Sequence, residues 1–150
     1  MNWCCITWFG TGTISVVDGT LDSGGYLKLL DENLWPVVAK HFPDGEYMFM
    51  DDGTSIHTSH IIMEYNEAQS VKTLVWPPKS PDLNPIENLW HILKLKIRHR
   101  IAEINSNKDL GRIVAEEWAR IGPHYVQGLY RSMPRRCKMV QLMKGHQTKY

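Results

Sequence analysis

Apolar residues at the start of the chain are spaced first as in strands and then as in a helix. Aromatic and β-branched side chains over 3–9 and 14–17 flank Gly10-Thr11-Gly12 and predict a β-hairpin. Over 26–42 the apolar positions recur with the helical period. Pro36 lies inside that segment, and we expect it to kink or divide the helix.

Two short, continuously apolar runs follow, at 47–50 and 71–76. Such runs are typical of strands that are buried on both faces. A candidate helix over 57–69 separates them, and Asp51-Asp52-Gly53 directly after the first run is typical of a turn at a strand end. The pattern therefore predicts a second pair of strands joined by a helix.

The stretch 76–90 contains four prolines and predicts a rigid turn that leads into a helix. Asn84 has the position of an N-cap, Pro85 that of the first helical residue, and Glu87 that of the third. The residues that follow with helical spacing form one apolar face: Ile86, Leu89, Trp90, Leu93 and Ile97.

Three further helices are predicted after this one. They cover 110–121, 125–133 and 135–144, with Pro134 before the last and Gly145 at its end. The order of elements indicates one α/β domain over residues 1–150, with a mixed sheet flanked by helices.

Composition excludes several protein classes. No apolar run approaches the roughly 18 residues of a membrane span, and the N-terminus lacks a signal-peptide pattern. Cys4, Cys5 and Cys137 fit neither a disulfide framework nor a zinc site. A reducing intracellular compartment is the simplest interpretation.

Charge is distributed unevenly along the chain. Residues 1–89 carry 4 Lys and Arg against 12 Asp and Glu, whereas residues 90–150 carry 13 against 4. An acidic half beside a basic half suits an enzyme that handles a polyanion with metal ions. Simple attraction between two oppositely charged halves explains the pattern equally well.

Asp52 and Glu87 are the candidate metal ligands. Each follows a predicted strand, and ligand sites in open α/β sheets form at the carboxyl ends of the strands. Two carboxylates converging there could hold Mg²⁺ or Mn²⁺. Local sequence also allows Glu87 to be half of a capping box with Asn84, and Asp52 to be an ordinary turn residue.

The sequence WPPKSPDLNPIENLWHILK resembles the signature of the Tc/mariner superfamily of DNA transposases. The resemblance implies an RNase H-like fold and a two-metal site of the DDE type. In residues 51–57, Asp52 matches the second catalytic aspartate of the family, and the 34 residues between it and Glu87 are the interval typical of the Tc branch. It thus implies that Asp52 and Glu87 are catalytic and bind Mg²⁺ or Mn²⁺.

The resemblance extends over essentially the whole chain but lacks two parts of the family pattern. The family's first strand, which carries the first catalytic aspartate, has no counterpart before Trp3. Its N-terminal helix-turn-helix region has none either. Asp18 matches a different, non-catalytic position. We therefore expect a sheet without its first strand and an incomplete metal site. We also expect a chain that is marginally stable by itself or needs a partner strand, because it exposes strand edges.

Four basic residues are candidates for contacts with DNA. Lys94 and Arg98 share one helix face with Glu87, while Arg135 and Arg136 follow a predicted helix start. We expect these four to contact phosphates, although a solvated charged face is the alternative. His57 is expected to make local hydrogen bonds, and the tryptophans at 76, 90 and 118 to lie in the core.

These expectations together describe a transposase-derived protein related to enzymes of metal-dependent DNA cleavage and strand transfer, inactive by itself. The alternative functions are a non-catalytic DNA-binding or protein-interaction module, or a product without a retained role. The resemblance further implies DNA as partner and the nucleus as location, and it allows a homo-oligomer. The lack of a long apolar run predicts no membrane association.

Overall fold

A computed structural model describes residues 2–17, 19–51, 54, 56–57, 59–77, 80–146 and 148. In these residues the elements, in chain order, are β1 (Asn2–Thr7), β2 (Gly10–Val16), α1 (Ser23–Asn33), α2 (Trp35–His41), α3 (His60–Ala68), α4 (Pro85–His99), α5 (Asn107–Ala119) and α6 (Pro123–Leu142), with single 3₁₀ turns at Pro81–Leu83 and Ile101–Glu103. They form two compact units. The first unit comprises the described residues of 1–3 and 17–80, and the second those of 4–16 and 81–150.

The first unit confirms the predicted division of its long helical segment. α1 begins behind Asp22, whose carboxylate accepts a hydrogen bond from the backbone N–H of Gly25 at 2.7 Å. It ends before Leu34, and α2 starts immediately with Trp35 and Pro36. A proline lacks an N–H, so it fits the first turn of a new helix and not the middle of a continuous one.

The two apolar runs of this unit are neighbours, as predicted, but their burial was predicted wrongly. Phe49 and Thr73 form an isolated parallel bridge, with Leu74 N–H donating to the Phe49 carbonyl at 2.7 Å. Three apolar side chains of these runs face solvent instead: Val75 is 94% exposed, and Met48 and Leu74 are exposed too. A strand is buried on both faces only where layers cover both, and around Val75 none of the described residues does so.

The helix predicted from His57 begins three residues later, at His60. The His57 ring instead stacks on Tyr26 of α1, with ring centroids 4.3 Å apart. Tyr26 and Ile62 of α3 are almost completely buried and form part of the core of this unit.

The second unit packs residues 4–7 of β1 and all of β2, which belong to the predicted hairpin, against α4, α5 and α6. Gly10 at the start of β2 has φ +132°, a backbone conformation that side chains other than glycine rarely adopt. The core contains one face from each helix and the inward side of β1: Cys4, Leu89, Leu93, Val114, Trp118, Ile121, Val126 and Leu129. Trp118 is thus in the core as predicted, and Trp90 stacks on it with centroids 6.0 Å apart.

The two helices predicted at the end of the chain are one continuous helix. α6 runs from Pro123 to Leu142 with Pro134 inside it, so the prediction that Pro134 marks a helix start is wrong. Tertiary contacts hold the helix on both sides of the proline: the Tyr130 hydroxyl donates to the Ile6 carbonyl at 3.3 Å, and Arg136 is bonded in the interior. These contacts outweigh the local preference to stop.

Among the described residues, none of the helices combines the length and the apolar character needed to cross a membrane.

Candidate metal and nucleic-acid site

Glu87 is placed by the proline-rich turn that precedes α4. Pro81–Leu83 form one 3₁₀ turn, and the Asn84 N–H donates to the Pro81 carbonyl at 3.0 Å. The Asn84 side chain then caps α4 by accepting from the Ile86 N–H at 3.2 Å, and Pro85 is the first helical residue. Because two prolines fix φ around this cap, the direction of the first helical turn is strongly restricted.

The capping-box alternative for Glu87 is not realised. In a capping box the Glu87 carboxylate would accept from the Asn84 N–H, but that group donates to the Pro81 carbonyl. The Glu87 side chain is exposed and forms no hydrogen bond or ion pair with any described residue. Its oxygens are therefore available to a ligand.

Cys4 of β1 is close enough to Glu87 to be affected by its charge. Burial, the adjacent Cys5 and the Glu87 carboxylate all raise the pKa of the Cys4 thiol. Cys5 is raised to a pKa of about 11, mainly by burial. Both thiols stay protonated at neutral pH, so neither presents a thiolate to a metal.

Asp52, the second predicted ligand, lies outside the described residues, as does Asp18. Over the described part of the chain, no cluster of three or more His, Cys, Asp or Glu side chains could hold a metal ion. Glu87 by itself fits Mg²⁺ or Mn²⁺, because these ions take carboxylate oxygens and its oxygens are unengaged.

Lys94 and Arg98 lie on α4, about two and about three turns beyond Glu87 on the same face, and both are exposed. Neither forms a hydrogen bond or ion pair with a described residue, unlike Lys96, which pairs with Glu117 at 3.5 Å. Arg135 on α6 is also exposed. These three side chains are placed where a phosphate could reach them.

Arg136 is in a different environment. It is 2% exposed, and its guanidinium donates to the Asp82 carbonyl at 3.0 Å, to Asn88 Oδ1 at 2.7 Å and to Ser132 Oγ at 2.8 Å. A side chain this deeply buried cannot meet a phosphate in the folded protein. The predicted phosphate contact of Arg136 is therefore replaced by a structural role.

An ion-pair network on α4, α5 and the turn between them was not predicted. Arg100 bonds Glu103, Glu116 and Glu117 at 2.7–3.0 Å. The peripheral pairs of the network are Lys96–Glu117, Arg120–Glu117, Arg112–Glu116 and Arg112–Asp109. The i,i+3 and i,i+4 spacing of some pairs was visible in sequence, whereas the bonds from Arg100 to α5 depend on tertiary structure.

This network explains part of the uneven charge. All four acids after residue 90 take part in it, so four of the cations in the basic half are paired with acids of the same half.

Glu117 is the most buried acid of the network, at 4% exposure. Burial alone would raise its pKa, but hydrogen bonds from Arg100 and Arg120 together with the charge of Lys96 lower it below the ordinary value.

Comparison with known proteins identifies relatives of the whole chain. Residues 12–111 match the family described as DDE superfamily endonuclease. The chain is 33% identical over 150 residues to the Tcb1 transposase of Caenorhabditis briggsae and 31% identical over 153 residues to the Tc1 transposase of Caenorhabditis elegans. Each alignment covers 100% of this chain and 54% of the relative, so the chain spans about half the length of these curated relatives.

Solved structures share the fold. The Mos1 transposase catalytic domain, in a structure with raltegravir and Mn, superposes with a TM-score of 0.78 at 18% identity and covers 95% of this chain and 74% of that one. A pre-cleavage Mos1 transpososome gives a TM-score of 0.81 at 17% identity, over 96% of this chain and 44% of that one. The chain therefore has the α/β fold of the Mos1 catalytic domain.

Proposed function

The chain belongs to the DDE superfamily of endonucleases, and from that membership we propose that it is part of a Tc/mariner transposase catalytic domain acting on DNA. The observation that carries the proposal is the state of Glu87. A proline-rich turn fixes its helix, yet its exposed carboxylate bonds no described residue. The carboxylate can therefore bind a metal ion without breaking a hydrogen bond or an ion pair to any described residue.

In this proposal Glu87 and Asp52 are the ligands of Mg²⁺ or Mn²⁺. When bound, such ions supply activation of the attacking hydroxyl and stabilisation of the leaving oxygen in phosphoryl transfer. The contribution of Glu87 is to present a fixed carboxylate, and Lys94 and Arg98 on the same helix hold phosphates of the DNA.

We further propose that these 150 residues do not cleave DNA by themselves. The family pattern has three catalytic carboxylates, and Asp52 and Glu87 match two of them. The aspartate that belongs to the family's first strand has no match, and an in-line displacement with two metal ions depends on the full set. The coverage of 74% of the Mos1 catalytic domain chain supports a partial domain.

A nicking assay and a metal titration test these statements separately. Supercoiled plasmid with Mg²⁺ or Mn²⁺ should stay intact, and nicking that disappears in Asp52→Ala would show a complete active site. Mn²⁺ should bind the chain weakly, and Glu87→Gln should reduce its affinity. The control is Glu64→Gln, an exposed glutamate on α3. Equal Mn²⁺ affinity in wild type and Glu87→Gln would remove the metal site from the proposal.

A non-catalytic DNA-binding module is the second candidate function. Lys94 and Arg98 favour it, because both are exposed and neither pairs with a residue that the structure describes. It predicts salt-sensitive DNA binding that survives Asp52→Ala and Glu87→Gln but weakens when Lys94 and Arg98 are replaced. Under either function we propose a nuclear location and a homo-oligomeric assembly on DNA. Cell fractionation and light scattering with DNA test these two points.

A further inference from the structure

Arg136 joins the two ends of the turn that carries Glu87. One arm of its guanidinium donates to the carbonyl of Asp82, in the 3₁₀ turn before α4. The other donates to the side chain of Asn88, in α4 itself. Glu87 lies between these two points in sequence, so a single buried cation spans the segment that presents it.

The orientation of the guanidinium is itself fixed. Its Nε donates to the hydroxyl of Ser132, one turn earlier on α6, and this hydroxyl donates to the Leu129 carbonyl at 2.6 Å. A planar guanidinium with three directed bonds cannot rotate without breaking at least one of them. A lysine at this position carries the same charge, but its single ammonium group cannot form these three directed hydrogen bonds in one plane.

Residue 148 makes a second attachment to the same turn. The Asp82 carboxylate is buried and accepts two hydrogen bonds from Thr148, from its N–H at 3.1 Å and from its hydroxyl at 2.8 Å. Asp82 is thus held through its carbonyl by Arg136 and through its carboxylate by Thr148. The turn before α4 is tied to two separate parts of the second unit.

We propose that Arg136 is a positioning residue for Glu87, acting through the first turn of α4. The proposal rests on the proposed function of Glu87 as a metal ligand. Because the Glu87 carboxylate bonds no described side chain, its place is set by the backbone of this turn and by its own rotamer. Whatever fixes the turn therefore restricts the positions that the carboxylate can take, as partners behind a metal ligand commonly do.

Mn²⁺ affinity measured without DNA tests this role. Arg136→Gln should lower the affinity about tenfold, the lower end of the effect of removing a group that orients a metal ligand. The Mn²⁺ affinity of Arg136→Lys should lie between those of the wild type and Arg136→Gln, because lysine keeps the positive charge but can form only one of the hydrogen bonds. Lys138→Gln is the control, since it removes one positive charge from an exposed position two residues further along α6 and should leave the affinity unchanged.

Amide hydrogen exchange gives a readout that does not need the metal. In Arg136→Gln the N–H of Glu87, bonded to the Asn84 carbonyl at 3.2 Å, should exchange on the order of ten times faster, while that of Val114 in α5 keeps its protection. If Arg136→Gln fails to fold, Asn88→Ala tests the positioning role in its place, because it removes only the hydrogen bond between Arg136 and α4. It should show the same local change with a smaller loss of Mn²⁺ affinity.

The outcomes separate the two proposals. If Glu87→Gln does not change Mn²⁺ binding, the proposed role of Glu87 as a metal ligand fails. The exchange rate of the Glu87 N–H in Arg136→Gln then tests by itself whether Arg136 fixes the turn. If Glu87→Gln weakens binding but both Arg136→Gln and Asn88→Ala bind as wild type, the positioning role is refuted. Loss of protection spread equally over α4 and α5 would refute it too, because that result describes general destabilisation.

Discussion

The indole Nε1 of Trp118 donates a hydrogen bond to the carbonyl oxygen of Gly12 at 2.8 Å, across 106 residues of sequence. The bond joins α5 to β2. The Trp118 side chain is only 2% exposed and also stacks on Trp90 of α4. Hairpin, α4 and α5 therefore meet at one residue, and the helix that carries Glu87 is held in part through it.

Trp118→Phe should destabilise the second unit by about 1–3 kcal/mol, because it leaves the Gly12 carbonyl without its donor and opens a gap in the core. Urea denaturation followed by circular dichroism measures this. Trp90→Phe is the comparison, since Trp90 is only half-buried, and it should cost less. Equal losses would show that the Trp118 bond adds nothing beyond ring packing.

Pro134→Ala should stabilise the chain by up to about 3 kcal/mol, because proline within a helix removes one backbone donor and crowds the preceding turn. Pro85→Ala is the matched control. Pro85 lies in the first turn of α4, where no intrahelical donor is lost, and its removal should give no such gain. Thermal unfolding of both variants distinguishes them, and a destabilised Pro134→Ala would mean that the proline ring itself contributes to packing.

Local sequence predicted the elements whose ends are set by local chemistry. Asn84 and Pro85 define the start of α4, and Pro36 divides α1 from α2, because caps and proline act within one turn. The continuity of α6 through Pro134 was not predictable in this way, since it depends on contacts with distant residues.

The candidate site shows the same division. The position of Glu87 in a first helical turn follows from its neighbours in sequence, whereas the burial of Arg136 follows from Asp82, which is 54 residues away. A basic residue beside another basic residue gives no local sign of which one turns inward. Burial of charge is decided by the acceptors that the fold brings together.

Stability should fall in acid because of Glu117. Its pKa is lowered in the folded protein, so its contribution is complete above the unfolded glutamate pKa of about 4.3 and is lost as the pH falls through the lower folded value. Glu117→Gln should therefore be less stable than wild type at pH 7 and should lose less stability on acidification. Denaturant unfolding between pH 7 and pH 3 measures both effects.

The control for this pH dependence is Glu32→Gln. Glu32 is exposed and pairs with Lys28 at 3.8 Å within one helix, an arrangement that contributes little. Its pH profile should follow that of wild type. A Glu117→Gln profile with the wild-type slope would assign the acid sensitivity to other carboxylates, of which Glu116 and Asp109 also have lowered pKa values.

DNA binding should depend on the cations that the ion-pair network leaves unengaged. Replacing Lys94 and Arg98 with alanine should weaken binding to any duplex sequence and reduce the slope of log K against log salt by about 2, because each phosphate contact contributes about 0.9. The matched control is the double variant Lys28→Ala and Lys40→Ala, which removes the same charge from the first unit. Fluorescence anisotropy at several salt concentrations compares the two. An equal change of slope in both variants would mean that DNA responds only to net charge, and the α4 face would then have no special part in binding.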